Sequence, residues 1–356
     1  MLIEGVFAAV PTPFYSDERV YFRKLEANIA RYSRSLLAGM LLLGSTGEAP
    51  ELDDDETRDV LRVAAAAAAP DKVLIAGVGR ESVKATVALA EAAAEFRYDA
   101  VLIRTPTYYA SQMSTAAVLH YFRSVADRSP LPVVLYNIPR CVPYDIPIEV
   151  AAELAQHPNI AGIKDSTGSV ERIRSLVNQT SAAPRRTATV TPVFEAVTGR
   201  MLASATSPAD ALVSIDDLAG GVAVATAPPA AAIRTRPLKT RTREVGFQVL
   251  TGASGALLES LEAGACGGIL GLAACAPQAC QEVYLAWKDR DLALAQEKQQ
   301  RIEVASQRIV GQLGIAGVKY ACDFNGFYGG RPRAPLLPVT GGERAEIEGI
   351  LAGIRN

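Results

Sequence analysis

The chain has 356 residues, of which 49% are hydrophobic and 21% charged, and its formal net charge is −2 at pH 7. This composition excludes a disordered or collagen-like chain, and the near-neutral balance offers no general basic field for a nucleic-acid backbone or an anionic membrane. We therefore expect a globular protein that binds neither nucleic acid nor membrane.

The cysteine and histidine content narrows the chemistry. The five cysteines are odd in number and contain no Cys-x-x-Cys pair, which is typical of reduced thiols in the cytosol rather than of a disulfide framework. With two histidines, a histidine-based metal site is nearly excluded. The N-terminal segment does not resemble a signal peptide, and no apolar run reaches the roughly 18 residues of a membrane span. We expect a cytoplasmic protein without a bound metal.

Eight apolar segments of strand length recur along the chain. Each is continuous rather than alternating, as expected of parallel strands that are covered on both faces. They comprise residues 5–10, 39–44, 72–78, 99–104, 132–138, 160–163, 247–251 and 267–272.

Helix-like segments separate these strands. In the first, Phe22, Leu25, Ile29, Tyr32 and Leu36 recur at steps of three and four, which predicts one apolar stripe. Acidic residues predict a helix N-terminus at 53–56, and further helical segments are 81–96, 114–126, 147–156, 169–178 and 253–263.

Eight strands separated by seven helices predict a (β/α)8 TIM barrel. We expect this catalytic barrel over residues 1–275 and a C-terminal helical extension over 276–356. The alternative is a doubly wound sheet, but five or six strands are more usual there and no Gly-x-Gly-x-x-Gly follows the first strand.

An insertion at about 180–245, between the sixth helix and the seventh strand, breaks the alternation. Short apolar runs at 211–215 and 222–226 predict a little β structure inside it. Helix-to-strand connections of a barrel lie at the face away from the chemistry, so we interpret the segment as a tolerated insertion. A subunit contact or a nucleic-acid grip remains the alternative, although the basic run 234–243 lacks interleaved aromatics.

Residues with reactive side chains cluster at the predicted strand ends. The second strand ends in a Gly-Ser-Thr-Gly-Glu turn at 44–48, whose amides and hydroxyls could hold a carboxylate or phosphate oxygen, although such turns are more often only turns. Tyr108 and Tyr109 follow the fourth strand, and Tyr136 ends the fifth. Tyrosines at such places usually pack or form interfaces.

Lys164 ends the sixth strand and is the most informative of these residues. It either reaches solvent or points into the barrel mouth, where removal from water favours the neutral amine that can attack a carbonyl carbon. The structural alternative is a lysine that extends to solvent or pairs with Asp165. Catalytic groups in a barrel come from several strand ends, so the neighbouring candidates favour a catalytic role.

Three segments in chain order resemble the signatures of one family. Residues 44–48, the Tyr-Asn-Ile-Pro run 136–139 and the Ile-Lys-Asp-Ser-Thr-Gly run 163–168 are similar to those of the dihydrodipicolinate synthase / N-acetylneuraminate lyase family. Its members are Schiff-base-forming pyruvate aldolases on a (β/α)8 barrel with extra C-terminal helices. The resemblance covers nearly the whole chain except the insertion.

Within that family, other segments look most similar to the 4-hydroxy-2-oxoglutarate aldolases. They are residues 113–127, 132–136, 156–165, 327–330 and 333–336.

The resemblance implies a role for each candidate. Lys164 would form the imine with pyruvate, and Tyr136 would shuttle protons beside it. Ser45 would be the relay hydroxyl and, with Thr46, would bind the substrate carboxylate. Tyr109 would complete the relay from a neighbouring subunit of a homo-oligomer, either a dimer or a tetramer.

Two further implications concern the substrate and cofactors. Gly252 would place its backbone near the substrate, a small 2-oxo acid. No metal or organic cofactor is required, because the lysine itself supplies the electron sink.

One position departs from the family pattern. The dihydrodipicolinate synthases carry an arginine after Tyr-Asn-x-Pro that grips the carboxylate of aspartate semialdehyde, whereas Cys141 stands there in this chain and Arg140 comes one residue early. A one-residue shift in an extended segment turns the side chain to the opposite face, unless Pro143 bends the loop and brings Arg140 inward. Cysteine offers no charge to a carboxylate.

We therefore favour cleavage of 4-hydroxy-2-oxoglutarate, or a close 2-oxo acid, to pyruvate and glyoxylate. Alternatives are a dihydrodipicolinate synthase that uses aspartate semialdehyde, a catalytically silent ligand-binding member, and a phosphate-binding barrel isomerase. The last would need a glycine-rich anion site after the seventh and eighth strands, where glycines are present.

Overall fold

The computed structural model describes residues 1–206 and 238–354. Within these ranges, eight parallel strands close into a barrel in sequence order, and the last strand pairs with the first. They are β1 (Gly5–Ala9), β2 (Gly39–Leu42), β3 (Val73–Gly77), β4 (Ala100–Arg104), β5 (Val133–Asn137), β6 (Ile160–Asp165), β9 (Gln248–Thr251) and β10 (Gly267–Leu270). Each falls on one of the eight predicted segments, and the predicted TIM barrel is confirmed.

Helices surround the barrel and follow its last strand. They are α1 (Phe22–Ser33), α2 (Asp54–Ala67), α3 (Val83–Glu95), α4 (Thr115–Ala126), α5 (Ile148–Leu154), α6 (Val170–Thr180), α7 (Gly199–Thr206), α8 (Leu257–Glu262), α9 (Pro277–Lys288), α10 (Leu292–Ala305), α11 (Gly314–Phe324) and α12 (Gly341–Leu351). A π-helix (Ser306–Gln312) joins α10 to α11. None of these described helices is long and apolar enough to cross a membrane.

Local sequence explains where these helices begin and end. Asp53 and Glu56 form a capping box at the start of α2, as the acidic run predicted. The predicted stripe of α1 is buried at Leu25, Ile29 and Tyr32, but the helix ends at Ser33, so Leu36 lies beyond it and is exposed.

The strands are buried on both faces, which explains their continuous apolar runs. One face fills the barrel interior with residues such as Phe7, Leu41, Ile75, Leu102 and Val134. The other face packs against the helices through the alternate residues Val6, Met40, Leu74, Val101 and Val133. This two-sided burial is the arrangement expected for parallel strands with helical crossovers.

The insertion contributes a separate antiparallel pair, β7 (Arg186–Val190) and β8 (Arg241–Val245). The side chains of β7 alternate between exposed and buried, a period-two pattern that the sequence analysis did not use. The predicted β structure at 211–215 and 222–226 lies outside the described residues.

The described parts of the insertion contact the loops that precede barrel strands. Arg243 pairs with Glu4 just before β1, at 2.7 Å. Arg186 donates to the carbonyl oxygen of Pro158 before β6, at 2.9 Å, and Arg200 donates to that of Arg97 before β4, at 3.1 Å. These contacts lie at the N-terminal ends of the strands, opposite the ends that carry Tyr136 and Lys164.

Candidate functional site

The strand register brings Arg104, Tyr136 and Lys164 to the same level of the barrel. Arg104 of β4 is the pairing partner of Tyr136 of β5, which in turn pairs with Lys164 of β6. Neighbouring strands lie about 4.8 Å apart, so these three side chains start within reach of one another. All three lie at the C-terminal ends of their strands, where barrel enzymes place their chemistry.

Lys164 is buried, with 4% of its surface exposed. Its Nζ donates to the hydroxyl of Tyr136 at 3.2 Å and lies 4.2 Å from the centre of the Tyr136 ring. Its ammonium forms no ion pair with a carboxylate of residues 1–206 or 238–354. Burying a charge without a counter-ion is costly, so this lysine is poorly explained as a stabilising residue.

The alternative pairing of Lys164 with Asp165 is wrong. Successive strand residues point to opposite faces, and the carboxylate of Asp165 faces the helices. It pairs with Arg172 of α6 at 2.7 Å and accepts from Asn137 Nδ2 at 2.8 Å. The carboxylate next to Lys164 therefore contacts the outer layer and does not pair with the amine.

Ser45 extends the Lys164–Tyr136 contact into a chain of three polar groups. Its Oγ lies 3.3 Å from the Tyr136 hydroxyl. Two residues separate the end of β2 from Ser45, which opens a short 3₁₀ turn, and Glu48, which caps this turn, has a φ of 55°. This left-handed conformation is uncommon for a residue other than glycine, so surrounding contacts must stabilise it.

A buried ion pair between Glu48 and Lys319 of α11 supplies that stabilisation. Both side chains are fully buried, and Lys319 Nζ donates to Glu48 Oε1 at 2.5 Å and to the carbonyl oxygen of Thr12 at 2.8 Å. The other carboxylate oxygen accepts from the backbone N–H of Arg333 at 2.8 Å. The C-terminal extension thereby holds the turn that carries Ser45.

Burial favours the neutral form of both Glu48 and Lys319. It raises the pKa of Glu48, which Lys319 opposes, and it lowers the pKa of Lys319, which Glu48 opposes. The sequence analysis missed Lys319, although a lysine inside the apolar helix run 314–322 was a visible signal.

Thr46 adjoins Ser45 in the chain, and Gly252 follows β9, the strand that pairs with β6. Thr46 follows Ser45 in the same turn and is partly buried. The Gly252 N–H donates to the carbonyl oxygen of Asp165 at 2.6 Å, and an added Cβ would lie 1.9 Å from Ser166 Oγ. The backbone after β9 therefore approaches the end of β6 closely only because residue 252 is glycine.

Tyr109 is not brought to the site within this chain. Its side chain is 60% exposed and packs edge-to-face on Tyr108, with ring centres 5.0 Å apart. The hydroxyl of Tyr136 hydrogen-bonds to Ser45 and Lys164 and not to Tyr109.

A cavity of about 550 Å³ is lined by Ser45 and Tyr136. Arg80, Arg104 and Cys141 also line it. Arg140 turns away, is exposed and donates to the carbonyl oxygen of Gly311 in the π-helix at 2.6 Å. The loop thus places Cys141 in the cavity wall and the Arg140 guanidinium against the C-terminal extension.

Sequence reasoning missed the two cavity arginines. Arg104 is the last residue of a predicted apolar strand, and that position was the available signal. Its guanidinium pairs with Glu81 at 2.9 Å. Burial alone would raise the pKa of Glu81, but hydrogen bonds from the Tyr108 and Thr107 amides and from Arg104 hold it below its ordinary value.

Known proteins resemble this chain over most of its length. A family model described as the dihydrodipicolinate synthetase family matches residues 2–184 and 230–354, leaving out the middle of the insertion. The 4-hydroxy-tetrahydrodipicolinate synthase of Acidiphilium cryptum is 27% identical over 354 residues and covers 99% of both chains. The probable mitochondrial 4-hydroxy-2-oxoglutarate aldolase of Emericella nidulans is 36% identical over 186 residues, which is 50% of this chain and 59% of that protein.

A solved structure shares the fold. The chloride-inhibited dihydrodipicolinate synthase from Acinetobacter baumannii, complexed with pyruvate, aligns over 99% of both chains with a TM-score of 0.77 and 23% identity. The family match extends across the barrel and the C-terminal extension. This chain belongs to the dihydrodipicolinate synthetase family, whose members are lyases and aldolases.

Proposed function

We propose that Lys164 forms an imine with a 2-oxo acid, and that the reaction is cleavage of 4-hydroxy-2-oxoglutarate, or a close 2-oxo acid, to pyruvate and glyoxylate. The observation that carries the proposal is a buried lysine at a barrel strand end that contacts a phenol and forms no ion pair within the described ranges. A chemical role accounts for the cost of burying such an amine.

The chemistry follows from the lysine. Nζ of Lys164 adds to the substrate C2 carbonyl, and loss of water gives an imine. The protonated imine accepts the electron pair of the breaking C3–C4 bond, while the C4 hydroxyl loses its proton and becomes the aldehyde of glyoxylate. The resulting enamine takes a proton at C3, and hydrolysis releases pyruvate and free Lys164.

The proton transfers fall to the Tyr136 hydroxyl. It lies 3.2 Å from Lys164 Nζ and 3.3 Å from Ser45 Oγ, so it can pass a proton between the imine carbons and the serine hydroxyl. Ser45 and Thr46, with the backbone of Gly252, would bind the substrate carboxylate. Tyr109, exposed in this chain, would reach the Ser45 hydroxyl of a neighbouring subunit, and the active form would be a homo-oligomer.

The choice of 4-hydroxy-2-oxoglutarate depends on the loop after β5. Cys141 lines the cavity and offers no charge, and Arg140 donates to Gly311 instead of facing the cavity. This loop should therefore offer no arginine to the carboxylate of aspartate semialdehyde. Condensation with aspartate semialdehyde is the second candidate, because a relative that covers 99% of this chain is named a 4-hydroxy-tetrahydrodipicolinate synthase.

Trapping with pyruvate and borohydride tests the imine. A reduced pyruvyl group should appear on Lys164 in peptide mass spectra, and Lys164→Ala should lose it. Lys72→Met is the matched control, because Lys72 is also buried but its ammonium is bound by the carbonyl oxygens of Ser35 and Leu37. Attachment to another lysine, or to none, would refute the mechanism.

Parallel kinetics test the substrate. We expect kcat/KM for 4-hydroxy-2-oxoglutarate cleavage to exceed that for condensation of pyruvate with aspartate semialdehyde. The reverse order would overturn the choice of substrate and leave the imine chemistry standing.

A further inference from the structure

Two arginines share the cavity with the Tyr136 and Ser45 hydroxyls, and the proposed chemistry does not use them. We propose that Arg104 and Arg80 bind the carboxylate of the aldehyde partner, so that the acceptor is an anionic aldehyde such as glyoxylate. This inference rests on the proposed function and specifies its second substrate.

The position of Arg104 is the first support. It is the register partner of Tyr136, and strand alternation directs it inward, since Ala100 and Leu102 of the same strand belong to the interior cluster. Its side chain is one-quarter exposed and reaches the cavity. A carboxylate that it holds would lie beside the Tyr136 hydroxyl, where the C3–C4 bond must break or form.

The backbone is shaped to admit this side chain. Gly79, which follows β3, lies so close to Arg104 that an added Cβ would stand 2.8 Å from its Cγ and 2.7 Å from its backbone nitrogen. Any other residue at 79 would displace Arg104. The close approach of the two loops therefore fixes the arginine in the cavity wall.

Arg80 supplies the second positive charge. It is partly buried, and its guanidinium donates to the Gly79 carbonyl oxygen at 3.3 Å and to Thr57 Oγ1 at 3.2 Å. It forms no ion pair with a carboxylate of the described ranges. Burial lowers the pKa of Arg80; Asp54 opposes this and the neighbouring charge of Arg104 adds to it. An anion between the two guanidinium groups would relieve that repulsion.

The acidic residues around the cavity do not prevent the two arginines from binding an anion. Glu81 pairs with Arg104 and also accepts from the Thr107 and Tyr108 amides, so it orients the guanidinium as well as offsetting its charge. Glu48 is neutralised by Lys319. Glu51 is the remaining carboxylate of the lining, and it forms no ion pair within the described ranges.

The test compares two aldehydes of similar size, one anionic and one neutral. Glyoxylate carries a carboxylate where glycolaldehyde carries a neutral hydroxymethyl group, and kcat/KM for condensation with pyruvate is measured for both. Arg104→Met and Arg80→Met should each lower the glyoxylate-to-glycolaldehyde ratio by roughly 10- to 100-fold, the scale of hydrogen bonds to a charged group. Arg104→Lys should lower it less, because the charge remains and the fork is lost.

Arg140→Met is the matched control and tests the rival arginine. It should leave the ratio unchanged, because Arg140 contacts Gly311 outside the cavity. Pyruvate trapping at Lys164 should keep its pyruvate dependence in Arg104→Met, which also reports that the variant is folded.

The outcomes separate the two proposals. Trapping at Lys164 with an unaltered aldehyde ratio in the Arg104 and Arg80 variants would overturn this inference alone, as would loss of the preference in Arg140→Met. If Arg104→Met lost pyruvate trapping to the same extent as it lost glyoxylate condensation, Arg104 would bind pyruvate and not the aldehyde. Absence of both trapping and turnover in the wild-type enzyme would overturn the proposed function and this inference together.

Discussion

Removing Lys319 should expose how strongly the C-terminal extension holds the Ser45 turn. In Lys319→Met the carboxylate of Glu48 keeps its burial and the Arg333 N–H but loses its counter-ion. Removing one partner of a buried pair costs about 3–5 kcal/mol. With an unfolding entropy of about 2 cal/mol/K per residue, that loss lowers Tm by roughly 4–7 °C.

The penalty should depend on pH in a definite direction. Burial already raises the pKa of Glu48 above its ordinary value of 4.5, and loss of Lys319 raises it further. Above pH 4.5 the unfolded carboxyl has released its proton while the folded one still binds it, so stability falls as pH rises through the folded pKa. Lys319→Met should therefore be closer to wild type at pH 5 than at pH 8.

Unfolding by urea at pH 5, 7 and 8, followed by circular dichroism, measures this effect. The double variant Lys319→Met/Glu48→Gln should recover most of the loss, because no unpaired charge remains in the core. The control is Lys298→Met, whose ammonium lies 3.9 Å from Glu282 near the surface, and which should change stability by less than about 1 kcal/mol. A Lys319→Met penalty as small as the control, or no recovery in the double variant, would refute the reasoning.

Two further outcomes follow from the site. Tyr136→Phe keeps the ring against Lys164 but removes the hydroxyl. We therefore expect kcat to fall about 10²-fold or more at nearly unchanged Tm. An unchanged kcat with a lower Tm would show that Tyr136 is only a packing residue. Mixed oligomers of Lys164→Ala and Tyr109→Phe should be more active than the sum of the separate variants, because the Tyr109→Phe subunit keeps Lys164 and receives Tyr109 from its neighbour. Strictly additive activity would show that Tyr109 does not act across subunits.

The sequence predicted the parts of the structure that depend on short-range patterns. Continuous apolar runs located the barrel strands, and equivalent strand ends must meet at one face, so Ser45, Tyr136 and Lys164 could be grouped before any distance was known. Tyr109 was also placed at a strand end, but its role in a neighbouring subunit came only from the family resemblance, and a single chain leaves it exposed.

Contacts between distant segments could not be predicted in this way. Glu48 and Lys319 are 271 residues apart, and their pairing depends on how the C-terminal helices pack over the barrel mouth. Arg104 was counted only as the end of a strand, because its approach to Arg80 depends on a glycine in the neighbouring loop. Alternation in β7 was present in the sequence but short, and composition dominated the interpretation of that region.

The closure of β1 on β10 also sets an order on the synthesis of the protein. Gly5 pairs with Gly267, so the sheet cannot close until about three-quarters of the chain has left the ribosome. The Ser45 turn is stabilised later still, because its residue Glu48 pairs with Lys319. Lys164, Tyr136 and Ser45 are therefore synthesised well before the chain can hold them in the geometry of the folded site. That geometry forms only when the C-terminal helices have been synthesised.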